Sequence, residues 1–394
     1  VEGANTANDW WAWERTGRSL SGEASGEACD HYKRFDDDFR LAAGLGHTAH
    51  RFSIEWSRIE PRPGEFDPVA IEHYRQVLAS LHRHGLVPVV TLWHFTLPAW
   101  VARVGGWTNR NTVTWFTRFV ERIARDLGEG VPYWITVNEP NVYVLQSYFL
   151  GIWPPQKRSI PGAVRVHQAL VRAHRAAYAV LKARFGDRTH VGFAGNFNAF
   201  EPLRPRHVLD RAATRLVDFF WNTGFLRQVI RTSDFVGINY YFHSRVRFSP
   251  LRFDLLFTEL HDGGGRDRSD LGWELYPLGI EQVVRSLSVH GKPLMVTENG
   301  LADAADSRRS QFLISHLTAL HRAMVSGARV LGYLHWSLLD NFEWADGFAP
   351  RFGLVAVDYA TQQRTPRPSA ELFRRIIHDG GLSAATLARA GNPR

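Results

Sequence analysis

The chain has 394 residues, 44% hydrophobic and 22% charged, enough apolar side chains for a large core. It lacks a run of 18 or more apolar residues, which argues against a membrane-spanning helix, and its one cysteine, Cys29, rules out an internal disulfide and fits a cytoplasmic setting. The formal net charge is +8, but the arginines are scattered and interleaved with acids, as in Arg34-Phe35-Asp36-Asp37-Asp38, which argues against a nucleic-acid-binding face.

In chain order, short apolar runs alternate with longer stretches of helical period. The strand-like runs cover 50–56, 86–95, 133–138, 190–196, 235–242, 293–298 and 330–338. They are nearly continuous in apolar residues, the pattern of parallel strands buried on both faces. Helices are predicted over 35–45, 67–84, 111–127, 162–185, 210–230, 277–290, 307–326 and 369–378. Asp67-Pro68 supplies an N-cap followed by a proline at the first helical position, and glycines such as Gly46, Gly85 and Gly291 follow helix ends. No linker or composition shift divides the chain. The expectation is one α/β domain over 1–394, a single (β/α)8 TIM barrel. Its first strand is expected to be truncated, lying just before or at Val1. The opening Val1-Glu2-Gly3-Ala4 has neither Met nor a signal-like segment, so the natural N-terminus is expected upstream. There is no G-x-G-x-x-G after a strand, no P-loop and no C-x-x-C, and Gly263-Gly264-Gly265 reads as a surface turn.

Two strands end in acidic motifs: Tyr133-Trp134-Ile135-Thr136-Val137-Asn138-Glu139-Pro140 and Pro293-Leu294-Met295-Val296-Thr297-Glu298-Asn299-Gly300. Each puts a Glu at the carboxyl end of a barrel strand, the rim where barrel active sites are built. Two carboxylates across one mouth suit glycoside hydrolysis, in which one must be protonated and the other ionised. A lone strand-end Glu is more often a cap or a partner for Arg; the pairing, with an Asn beside each, favours catalysis.

These two segments resemble the catalytic signatures of glycoside hydrolase family 1, the β-glucosidases and their relatives. Further motifs match in order along nearly the whole chain. They are Val1-Glu2-Gly3-Ala4, Arg51-Phe52-Ser53-Ile54-Glu55-Trp56-Ser57-Arg58-Ile59, Thr91-Leu92-Trp93-His94-Phe95-Thr96-Leu97-Pro98, Asp234-Phe235-Val236-Gly237-Ile238-Asn239-Tyr240-Tyr241, and Trp336-Ser337-Leu338-Leu339-Asp340-Asn341-Phe342-Glu343-Trp344. The resemblance implies a retaining exo-β-glycosidase acting on small β-glycosides or oligosaccharides. Glu298 matches the nucleophile and Glu139 the acid/base, with Arg51 and Tyr241 beside Glu298. His94, Asn138, Glu343 and Trp344 match the residues that bind the hydroxyls of the first sugar. Trp336 matches the stacking floor and Trp273 a wall on the leaving-group side, while Asn239 is expected to support the nucleophile side. Taken singly, each Trp is more often core, and His94 more often structural. No metal or cofactor is expected, and no nucleic-acid or membrane partner.

The sequence also departs from the family pattern. The sugar-binding Gln expected before Val1 lies outside it, and Phe95 stands where many members carry Trp. The segment 198–234 is short, which is expected to open the leaving-group side. Glu343 is retained, and its negative charge would repel a 6-phosphate, which argues for neutral sugars. Two alternatives remain at this level: a catalytically silent sugar-binding barrel, and a basic nucleic-acid binder, which would need clustered Arg.

Overall fold

The computed structural model describes residues 2–252, 258–261 and 267–384; the Gly263-Gly264-Gly265 turn lies outside them. The apolar runs form seven strands: β1 (Ala49–Ser53), β2 (Val87–Thr91), β3 (Tyr133–Asn138), β4 (His190–Asn196), β5 (Phe235–Asn239), β6 (Leu294–Asn299) and β7 (Val330–His335). They lie side by side in chain order, each parallel to the next, as a nearly closed barrel. The eight main helices are α1 (His31–Gly44), α2 (Pro68–Arg83), α3 (Thr112–Leu127), α4 (Ile160–Phe185), α5 (Val208–Asp218), α6 (Pro277–Ser288), α7 (Arg309–Val325) and α8 (Pro368–His378). Asp67 caps α2 as expected, its carboxylate accepting the Val69 N–H at 2.8 Å.

The central strands β3 to β6 are buried on both faces, which explains their unbroken apolar character, whereas β1 and β7 are half-buried. Val89, Ile135, Ala194, Phe235 and Met295 pack together inside the barrel. Their neighbours Val90, Trp134, Val236, Leu294 and Val296 belong to the core beneath the helices. Strands β1 and β7 do not pair. Between them lies a cavity of about 520 Å³ that reaches from Phe373 at one end to His94 and Trp336 at the other.

Five predicted elements end early or break; the runs 50–56 and 86–95 end as strands at Ser53 and Thr91. The 210–230 helix divides into α5, a π-helical turn (Phe219–Thr223), a short helix (Leu226–Val229) and a 3₁₀ turn (Ile230–Thr232). Asn222 explains the break: its side chain accepts the Asn198 N–H at 3.0 Å and donates to the Asn198 carbonyl at 2.9 Å, an anchor to the barrel rim that a regular helix would displace. The run 235–242 leaves the barrel after Asn239. Its continuation, His243–Phe248, joins Ala199–Pro202 and Thr258–His261 in a separate three-stranded sheet that periodicity did not reveal. The run 330–338 ends as a strand at His335, and its last residues turn into the site described next. Among the described residues, no helix is long and apolar enough to cross a membrane.

Candidate active site

β3 delivers Asn138 and, one residue beyond the strand, Glu139. Glu139 adopts a left-handed conformation (φ 44°) and opens the helix Pro140–Val144. For a residue with a Cβ this conformation costs about 1–2 kcal/mol, and it turns the chain sharply at the mouth. β6 carries Glu298 within its last turn of pleat, next to Asn299. Both carboxylates are almost fully buried, at 7% and 5% exposure.

Their surroundings differ. Glu298 receives the Arg51 guanidinium on Oε1 and the Tyr241 hydroxyl on Oε2 at 2.9 Å. Both its oxygens therefore accept, one of them from a cation. Arg51 is held in turn by Thr91 Oγ1 at 3.1 Å and donates to Asn138 Oδ1 at 2.6 Å. Glu139 has only neutral donors: its Oε1 accepts from the side-chain amides of Asn196 and Asn239, each at 3.0 Å. The Asn239 amide also reaches Asn138 Oδ1 at 3.2 Å. A continuous chain of hydrogen bonds thus runs from Glu139 through Asn239, Asn138 and Arg51 to Glu298.

These environments separate the charge states. Burial first, and the nearby charge of Glu298 second, push the Glu139 carboxyl up to about 8, with the two amides partly offsetting the rise. Glu343 is likewise pushed to about 8 by burial and by Glu298. Burial and the same carboxylate push the Tyr241 hydroxyl well up, so it stays a donor. Burial, with Arg51 nearby, holds His94 far below the usual imidazole range. His94 is therefore neutral, and its Nε2 accepts from the Asn138 amide at 3.1 Å.

The chain matches the sequence profile described as Glycosyl hydrolase family 1 over residues 2–231 and 223–382. The protein belongs to that family. This family 1 glycosidase is 31% identical to beta-glucosidase A of Thermotoga maritima over 417 residues, covering 95% of this chain and 92% of that one. It is 32% identical to a beta-galactosidase of Sulfolobus acidocaldarius over 452 residues, covering 95% and 90%. The solved beta-glycosidase from Pyrococcus horikoshii superposes with a TM-score of 0.94 at 36% identity, covering all of this chain and 95% of that one. The glycosidase is therefore a β-glucosidase-like hydrolase with the TIM-barrel fold of its relatives.

The structure of this glycosidase gathers Arg51, Asn138, Glu139, Asn239, Tyr241 and Glu298 into one network, with His94 joined through Asn138. Trp336 and Trp344 flank His94, at ring-centroid distances of 6.2 and 5.6 Å. Glu343 lies beside them, and its Oε2 is buried without a hydrogen-bond partner among the described residues. Trp273 packs on Phe242 at 4.5 Å and on Tyr241 at 5.7 Å. Asn239 pairs with Glu298 in strand register and accepts from Thr297 at 2.7 Å, while its amide reaches across to Glu139. Phe95 meets Trp344 and Trp153 at 5.2 and 4.9 Å, so it packs within this aromatic cluster.

Some residues of the site escaped sequence reasoning. Asn196 closes β4 and touches Glu139; its signal was a polar residue ending an apolar run at the rim. A buried cluster also backs Trp273. His243 Nδ1 lies 2.8 Å from Glu274, its ring stacks on Tyr276 at 3.9 Å, and Tyr276 donates to Glu201 at 2.7 Å. Among the described residues, no group of three His, Cys, Asp or Glu is arranged to hold a metal ion.

Proposed function

We propose that this family 1 glycosidase is a retaining exo-β-glycosidase, one catalytic unit that releases single β-glucosyl or related residues from non-reducing ends. The observation that carries this reading is the asymmetry of the two linked carboxyls. Glu298 accepts from a guanidinium and a phenol, whereas Glu139 meets only neutral amides and is pushed up to about 8. In the first step a Glu298 oxygen attacks the anomeric carbon while the bond to the leaving oxygen breaks and Glu139 gives that oxygen its proton. Forming the ester consumes the charge on Glu298, removing one of the two causes of the elevated Glu139 pKa. Glu139 then becomes a competent base. It takes a proton from water as the water oxygen attacks the anomeric carbon, the ester breaks, and both carboxyls return to their starting states.

Asn138, His94, Glu343 and Trp344 are the proposed partners of the sugar hydroxyls, Trp336 its stacking floor and Trp273 the wall for the leaving group. The aromatic cluster of Trp10, Phe95, Trp153 and Trp344 behind this side supports removal of one residue at a time. Burial and the charge of Glu298 push the Glu343 carboxyl up to about 8, which reduces the charge it would set against a 6-phosphate. The cost of desolvating a phosphate dianion in so buried a site still favours neutral sugars. The single cysteine supports a cytoplasmic location.

The test is proton NMR of aryl β-glucoside hydrolysis together with two variants. The β-anomer is expected first, and a first-formed α-anomer would show inversion. Glu298→Ala should abolish turnover. Glu139→Ala should lose most activity on poor leaving groups and much less on activated aryl groups; equal loss on both would contradict the acid role.

A further inference from the structure

Helix α5 and the π turn that follows it expose Val208, Leu209, Leu216, Phe219 and Phe220, with Val208 71% and Phe220 53% accessible. Positions 208, 212, 216 and 219–220 recur at helical spacing. The apolar side chains therefore form one stripe on the solvent side of the helix, opposite the buried Asp210, Ala213 and Thr214. Single exposed apolar residues are ordinary, but a contiguous stripe that includes two aromatics is not.

The stripe is bordered by positive charge. Arg206, Arg211 and Arg215 are exposed, and none joins an ion pair among the described residues. Arg204, by contrast, is tied to Asp210 at 2.8 Å. Arg227 lies over the Phe219 ring at 5.6 Å. The turn also sits beside the mouth. Asn141, two residues past Glu139, donates to the Trp221 carbonyl at 3.3 Å and to the Asn196 carbonyl at 2.8 Å. Asn196 in turn bonds Glu139. The stripe thus ends in a turn hydrogen-bonded to the residues that frame the proposed acid.

We propose that this face docks on an anionic lipid surface and presents the active site to glycosides whose aglycone is embedded there. An apolar, aromatic stripe edged by Arg matches a helix lying in the headgroup plane, a mode that requires no spanning segment. The lack of a long apolar run in the sequence bears on spanning a bilayer and leaves such contact open. A second copy of the chain fits poorly. A two-fold contact across the stripe would set the unpaired arginines against their own copies. Five apolar side chains also fall well short of the roughly 20–30 residues per side of a stable interface. The lipid contact stands independently of the proposed mechanism; only its service to the active site rests on that reading.

The test is co-sedimentation of the full chain with vesicles of equal parts phosphatidylglycerol and phosphatidylcholine, with pure phosphatidylcholine vesicles in parallel. The protein is expected to bind the anionic vesicles, to release them at high salt, and to ignore the neutral ones. The Phe219→Ser/Phe220→Ser and Arg211→Glu/Arg215→Glu variants should each bind at least about tenfold more weakly. Both should hydrolyse a soluble nitrophenyl β-glucoside at the wild-type rate, which shows that the fold is intact. Failure of the wild type to bind anionic vesicles, undiminished binding by both variants, or a sedimentation-velocity dimer that the Phe substitutions dissolve would each overturn the proposal. Vesicle binding without any glycosidase activity would overturn the proposed mechanism and leave this surface standing.

Discussion

Neutralising Glu298 should lower the pKa of Glu139, because the charge of Glu298 is the second cause, after burial, of its rise to about 8. For carboxyls at the ~5–5.5 Å spacing of a retaining pair, an effective dielectric of about 20 gives roughly 3 kcal/mol of repulsion, or about two pH units. Glu298→Gln removes that charge, keeps the side-chain shape, and leaves Arg51 unneutralised, which also pulls Glu139 down. Carbon-13 NMR of protein labelled at the Glu side-chain carboxyl carbons reads the titration directly, with the Glu139 signal assigned by its loss in Glu139→Gln. A midpoint near 8 is expected in the wild type, and one about two units lower in Glu298→Gln. A midpoint that moves by less than about half a unit would refute electrostatic coupling, and with it the proposed change of Glu139 from acid to base.

Three further outcomes follow from the same environments. Glu139, Glu343 and Asp9 are all raised on folding, to about 8, about 8 and about 7. A raised carboxyl binds its proton more tightly in the folded state, so its contribution to stability is present below the unfolded pKa and is lost as pH climbs through the folded value. For Glu139 the loss is at most about 5 kcal/mol. Glu139→Gln should therefore raise Tm by several degrees at pH 8 and change it little at pH 4.5; equal Tm differences at both pH values would contradict this. Asn196→Ala removes a donor that favours the ionised form of Glu139, so the alkaline limb of kcat/KM should move upward in pH; an unmoved or lowered limb would deny that contact in solution. Glu274→Gln weakens the buried bond to His243 that backs Trp273. It should reduce kcat/KM for a β-linked disaccharide by about fivefold, the equivalent of about 1 kcal/mol, while inhibition by a monosaccharide-like imino sugar stays within about twofold. Equal losses on both would mean general damage to the site.

Glu139 and Glu298 were legible because each combines two independent signals: an apolar run that marks a buried strand, and an acid at the end where barrel sites lie. Arg51, His94 and Tyr241 were reached only through the motifs around them, since a lone Arg, His or Tyr carries no comparable signal. The partner of Asn239 was not legible. Strand register places it beside Glu298, but a side chain at the rim can reach inward across the mouth, and periodicity is silent on that choice. The apolar continuations of 235–242 and 330–338 looked like strand because the residues that follow the strands, such as Tyr240, Tyr241 and Trp336, are as aromatic as a core. The break in 210–230 depends on the long-range anchor between Asn222 and Asn198, which no local propensity encodes. The three-stranded sheet was missed for a related reason: its strands are short and half exposed, and they are stabilised by one another.

Mechanism-based labelling tests the nucleophile most directly. The protein is incubated with an activated 2-deoxy-2-fluoro-β-glucoside, whose fluorine slows breakdown of the ester more than its formation, and the labelled peptide is then sequenced by mass spectrometry. One fluoroglucosyl group per chain, carried on Glu298 and accompanied by loss of activity, is the expected result. A label on any other residue, or hydrolysis of β-glucosides without covalent capture, would contradict the assignment of Glu298 as the attacking carboxylate.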